Sequence, residues 1–65
     1  MNCGQIVAYD STTKNGLIRD CTSNVVYPFV QDVPGLNAGD CATFGVSQGT
    51  AVNVAKTDCT NCPDC

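Results

Sequence analysis

The stretch Gly4-Gln5-Ile6-Val7-Ala8-Tyr9-Asp10, followed by Lys14-Asn15-Gly16-Leu17-Ile18 and Asn24-Val25-Val26-Tyr27-Pro28-Phe29, decides the fold class. Each run is short, rich in β-branched or aromatic residues, and bounded by the Asp, Asn, Ser and Gly residues that reverse a chain. Working outward, no window carries apolar residues at helical spacing between caps, and the chain has two Leu and no Glu. An all-β fold follows, with strands expected over residues 4–9, 16–20, 25–30, 41–47 and 50–55. The Asn15-Gly16 step, tolerant of positive φ, suits the first reversal, and Asp20-Cys21-Thr22-Ser23-Asn24 makes the second. Val33 to Asp40 is a longer crossover, and Gln48-Gly49 closes a hairpin. Alternation gives the fourth strand an apolar face of Ala42, Phe44 and Val46, and the fifth one of Val52 and Val54.

Sixty-five residues make one domain and no more. A chain of that size buries only about 60% of its unfolded surface, so it needs staples. Six cysteines are available, at positions 3, 21, 41, 59, 62 and 65. After Ala55 the composition changes: residues 56–65 hold no apolar side chain apart from cysteine, so the expected division is a barrel over 1–55 and a Cys-rich tail over 56–65.

Charge and composition exclude several functions. Six Asp stand against Lys14, Arg19 and Lys56, a net charge of −3, whereas nonspecific nucleic-acid affinity comes mainly from Lys and Arg displacing counterions. With no histidine, no serine has a base to activate it, and Asp pairs in loops are mostly turn formers, so no enzymatic activity is expected. No apolar run approaches the roughly 18 residues that span a bilayer, which argues against a membrane partner. Met1-Asn2-Cys3-Gly4 lacks the features of a signal peptide, which favours the cytoplasm; disulfide-bonded cysteines would instead favour an extracellular protein.

The tail motif Cys59-x-x-Cys62-x-x-Cys65 is the one dense chemical cluster. Disulfides are the first reading, with 15 possible pairings of six cysteines. The second is a zinc site of Cys59, Cys62 and Cys65, completed by Cys3, Cys21 or Cys41 because tetrahedral zinc takes four ligands. An iron-sulfur ligand run lacks its fourth cysteine in the tail. Antiparallel register in the first hairpin brings Cys3 near Cys21, to bond each other or to meet the tail. A C-x-x-C in an acidic tail, away from a helix start, is a poor redox centre.

In the order and spacing of its strands, residues 4–54 resemble a cold-shock domain, a five-stranded Greek-key barrel of the OB-fold type that binds single-stranded nucleic acid on its second and third strands. The resemblance rests on Lys14-Asn15-Gly16-Leu17-Ile18, at the place of a Lys-Gly-Phe-Gly-Phe-type motif, and Val25-Val26-Tyr27-Pro28-Phe29, at that of a Val-Phe-Val-His-Phe type. The first strand has Val7, Ala8 and Tyr9 where the family has Lys-Trp-Phe. Asn15, Leu17 and Val26 stand where aromatics would stack on bases, and Pro28 replaces the histidine. The resemblance implies a nucleic-acid site reduced to Tyr9, Lys14, Arg19 and Phe29. At about 1–3 kcal/mol per stacked base, the missing rings forfeit several kcal/mol of affinity.

An apolar, weakly charged face in that place favours a protein partner or self-association, through Val7, Val26, Tyr27 and Pro28. The expected function is therefore a small structural or protein-interaction module stapled by cysteines. Weak single-strand binding is the first alternative and zinc binding the second. Packing alone also explains apolar residues on strands.

Overall fold

A computed structural model describes residues 1–65 and contains all five expected strands: β1 (Asn2–Asp10), β2 (Asn15–Asp20), β3 (Val26–Val30), β4 (Cys41–Ser47) and β5 (Thr50–Thr57). They form one antiparallel sheet in the order β3-β2-β1-β4-β5. Only the β1–β4 pair joins strands distant in sequence, and the crossover between β3 and β4 makes it possible. That crossover runs beside β1, with Gly39 N donating to Ile6 O and Ile6 N to Asp40 O, both at 2.8 Å.

The sheet curls around nine apolar side chains: Ile6, Ile18, Phe29, Val33, Leu36, Ala42, Phe44, Ala51 and Val54. Ile18 and Phe44 are wholly buried, each contributing about 1.5–3 kcal/mol relative to exposure. Two register shifts allow the curl. Val7 is an extra residue in β1, since Ile6 pairs with Ile18 and Ala8 with Leu17. In β5, Asn53 (φ 54°) and Val54 together oppose Phe44.

β3 and β5 are brought together without sharing a ladder. Gln31 bridges them: its Nε2 donates to Val54 O at 2.7 Å, and its Oε1 accepts from Val54 N at 2.9 Å. The same residue's backbone N donates to Lys14 O at 2.9 Å, and its carbonyl accepts from Tyr9 Oη at 2.9 Å. A single side chain thus takes the part of a missing β-bridge.

Three local expectations are corrected. The first reversal takes its left-handed residue at Lys14 (φ 65°), not at Asn15-Gly16, because the Asp10 carboxylate accepts from Thr12 N and Thr13 N and so builds the turn one step earlier. Val52 does not share a face with Val54, because the bulge at Asn53 changes the phase and turns Ala51 inward instead. Val46 lies beyond the core, 43% exposed near the hairpin end. The expected Gln48-Gly49 hairpin is present, with both residues at positive φ (54° and 76°) between paired Ser47 and Thr50.

All six cysteines form disulfides: Cys3–Cys62, Cys21–Cys65 and Cys41–Cys59. Cys3 and Cys21 are neighbours, Cys21 N donating to Cys3 O at 3.1 Å, yet each bonds the tail. The tail climbs by successive three-residue turns, Cys62 N to Cys59 O and Cys65 N to Cys62 O, both 3.0 Å. A turn of this kind advances about 6 Å per three residues, close to the roughly 4.8 Å between strands. Cys59, Cys62 and Cys65 therefore meet β4, β1 and the end of β2 in sheet order. The tail laces three adjacent strands.

Peptide mapping under non-reducing conditions should recover these three linkages, with the intact chain lighter than the reduced chain by two hydrogens for each bond. Removing either Cys3–Cys62 or Cys41–Cys59 by paired Ala substitution should cost about 3 kcal/mol, because with Cys21–Cys65 intact the Cys3–Cys62 bond closes a ring of roughly 20 residues, similar to the Cys41–Cys59 loop. Urea denaturation reads both costs. Gln31→Ala, which leaves the Val54 amide and carbonyl unpaired, should cost about 1–3 kcal/mol in the same assay.

Candidate functional surface

Across β1, β2 and β3 the register forms two kinds of row. Tyr9, Gly16 and Phe29 make an inward row, whereas Ala8, Leu17 and Pro28 make an outward one. Gly16 is required here by space, since a Cβ at that position would lie 2.3 Å from Phe29 Cζ. Tyr9 and Phe29 stack with centroids 5.9 Å apart and planes 8° apart. Tyr9 Oη also accepts from Val33 N at 3.0 Å. Both aromatics that the resemblance assigns to base stacking are thus engaged in packing: Phe29 is only 1% exposed and offers no open ring face.

The bulge at Val7 produces this arrangement. Strict alternation from buried Ile6 would put Ala8 inside and Tyr9 outside; the extra residue leaves both Val7 and Ala8 exposed and turns Tyr9 inward. Tyr27, expected on the contact surface, pairs with Ile18 and packs its ring against Phe44 at 6.0 Å, leaving it half-buried. Val7, Val26 and Pro28 do face outward, with Val7 47% and Val26 46% exposed.

Pro28 costs the sheet no hydrogen bond. The bonds Asp20 N to Val25 O and Gln31 N to Lys14 O show that odd-numbered residues of this segment face β2 with their amides. The backbone of Val26, Pro28 and Val30 faces the open edge, where proline is tolerated.

Sequence reasoning missed Val30 as a surface residue, although its even-numbered place beside Val26 and Pro28 carries the signal. It is 72% exposed, and Leu17 opposite Pro28 is 39% exposed. Ala8, Leu17, Pro28 and Val30 line a shallow, largely apolar groove of about 360 Å³ together with Tyr9, Asp10, Asn15, Gly16 and the buried Phe29. A second hollow, about 410 Å³, lies near Asn2, Asp20, Ser23 and Asp64. Its buried carboxylate is already satisfied: Asp20 accepts from Asn2 Nδ2 at 3.1 Å and Thr22 N at 2.8 Å.

The cations differ in setting. Lys14 pairs with Asp32 at 3.3 Å and Lys56 with Asp40 at 3.4 Å. Arg19, on the outward side of β2 between Gln5 and Val26, donates to Asn24 Oδ1 at 2.9 Å and Gln5 Oε1 at 3.0 Å. As for metal, the disulfides consume the thiolates of the expected site at Cys59, Cys62 and Cys65, along with every body cysteine that would complete it. No other group of three or more metal-binding side chains converges, which disfavours zinc. No helix is long and apolar enough to cross a membrane.

Gly16→Ala should cost about 1–3 kcal/mol by overpacking, and Phe29→Leu in the same chain should recover part of the loss. Thermal denaturation of the single and double variants checks that the aromatics serve the interior. No protein-family profile, curated protein or solved structure matches this chain.

Proposed function

We propose that the chain is a non-enzymatic protein-interaction module on a cold-shock-like barrel, contacting its partner through the outer face of β1, β2 and β3. The strand order β3-β2-β1-β4-β5, with β5 brought back to β3 by Gln31, agrees with the five-stranded, partly open Greek-key barrel of the OB type. The observation that carries the functional reading is the contiguous outward set Val7, Ala8, Leu17, Val26, Pro28 and Val30. An exposed apolar patch on a small protein marks a contact site more often than chance exposure does. A polyanion gains little from it.

Single-strand binding is the second reading, favoured by the presence of Lys14 and Arg19 on β2 and its preceding turn. Against it stand the net charge of −3 and the inward-turned aromatics. Three disulfides in so short a chain fit an oxidising compartment, with the extracellular space the foremost example.

Chemical crosslinking in native extract, analysed by mass spectrometry, should give discrete products with the wild-type chain that Leu17→Asp and Val26→Asp reduce strongly. Both variants should remain folded, losing about 1 kcal/mol at most, because the side chains are partly exposed and Asp is disfavoured in a strand. Oligothymidylate should leave the fluorescence anisotropy unchanged at low salt. A strictly monomeric chain with no crosslinked product, or saturable oligonucleotide binding, would overturn the proposal.

A further inference from the structure

Arg19 is the one cationic side chain with no acidic side chain within ion-pair distance, since Lys14 and Lys56 are each paired. Its guanidinium is nonetheless fixed. Nη1 is held by Asn24 and Nη2 by Gln5, two neutral acceptors that set its direction without cancelling its charge. Of the five N–H donors of an arginine, these bonds use two. The rest are free for a planar acceptor such as a carboxylate, and the held fork loses less freedom on binding than a mobile one.

Beyond these two amides, apolar side chains share the face. Arg19 lies directly opposite Val26, two residues from Leu17 on the same face of β2, with exposed Val7 two residues beyond its β1 partner Gln5. Asn24 is itself held in place: its N donates to Asp20 O at 2.8 Å, and its φ of 62° turns the chain into β3. The face therefore combines one oriented, uncompensated positive charge with exposed Val and Leu side chains.

We infer that Arg19 is the anion anchor of this face, and that its occupant is an extended protein segment carrying a carboxylate beside apolar side chains. This inference rests on the interaction reading above and names the chemistry of the partner. Nucleic acid is the poorer fit, because a phosphate chain needs several cations displacing counterions, whereas this face offers a single unpaired cationic side chain, enough for one carboxylate. A carboxylate flanked by aliphatic groups meets both the charge and the apolar surface.

The test is an NMR titration of the intact, disulfide-bonded protein with two capped pentapeptides, one alternating Val and Glu, the other with Gln replacing each Glu. The Glu peptide should shift the Arg19 Nε–H resonance together with the Val7 and Val26 methyls, and should bind about fivefold tighter than the Gln peptide, the upper range for an exposed ion pair. Arg19→Gln should abolish that preference while leaving the backbone amide spectrum unchanged elsewhere; Arg19→Lys should keep part of it. Equal affinity for both peptides overturns the role of Arg19 but leaves the apolar contact face standing. No shift with either peptide at millimolar concentration overturns the inference, and the crosslinking experiment then decides the broader reading separately. Saturable shifts with oligothymidylate, or concentration-dependent shifts without any peptide, overturn it in favour of nucleic acid or a second copy as occupant.

Discussion

The sulfur bonds at one end of the sheet impose the constraint on which the remaining structure depends. Nine buried side chains form a small core for five strands, and pairing β1 with β4 closes a long, entropically costly loop through β2, β3 and the crossover. Cys41–Cys59, Cys3–Cys62 and Cys21–Cys65 hold β4, β1 and the end of β2 to one tail. Because the tail repeats its cysteines every three residues, each turn reaches the next strand. The denatured chain loses freedom, and the sheet is free to place side chains on its outer face that a small core would otherwise claim.

At the other end a different device holds the curl. Gln31 links Lys14 in the turn before β2, Tyr9 and β5 through its amide, carbonyl and side chain. Its carboxamide pairs with Val54 in the manner of a peptide group, satisfying backbone that the Asn53 bulge takes out of the β4–β5 ladder. A seam closed by one side chain leaves the edge backbone of β3 free of regular pairing. Pro28 lies on that edge and, having no donor, discourages another strand from adding there.

Packing and contact are coupled through the bulge at Val7. By sending Tyr9 inward to Phe29 over Gly16, it fills the interior with rings that the cold-shock resemblance would place against bases. The same extra residue leaves Val7 and Ala8 side by side on the surface, next to Leu17 and Pro28. Arg19 stands among these apolar groups, oriented by amides and lacking an acid. One irregularity in one strand thus changes both the content of the core and the character of the outer face.

The sequence by itself determined the class and the elements: the alternating runs, the turn residues and the near absence of helix signals gave five strands within one or two residues of their observed limits. It also showed the cysteine-rich tail, because strand periodicity and composition are local information, while Val7, Val26, Tyr27 and Pro28 became surface candidates through the cold-shock resemblance. It did not show which way Tyr9 points, that Val52 and Val54 fall on different faces, or that Tyr27 packs on Phe44. A bulge shifts phase by one residue and leaves no mark in composition, and it forms only when neighbouring strands pair. Nor did six cysteines identify their partners; pairing followed from the β4, β1, β2 order of the sheet, since a three-residue step in the tail gains its meaning only from the distance between strands.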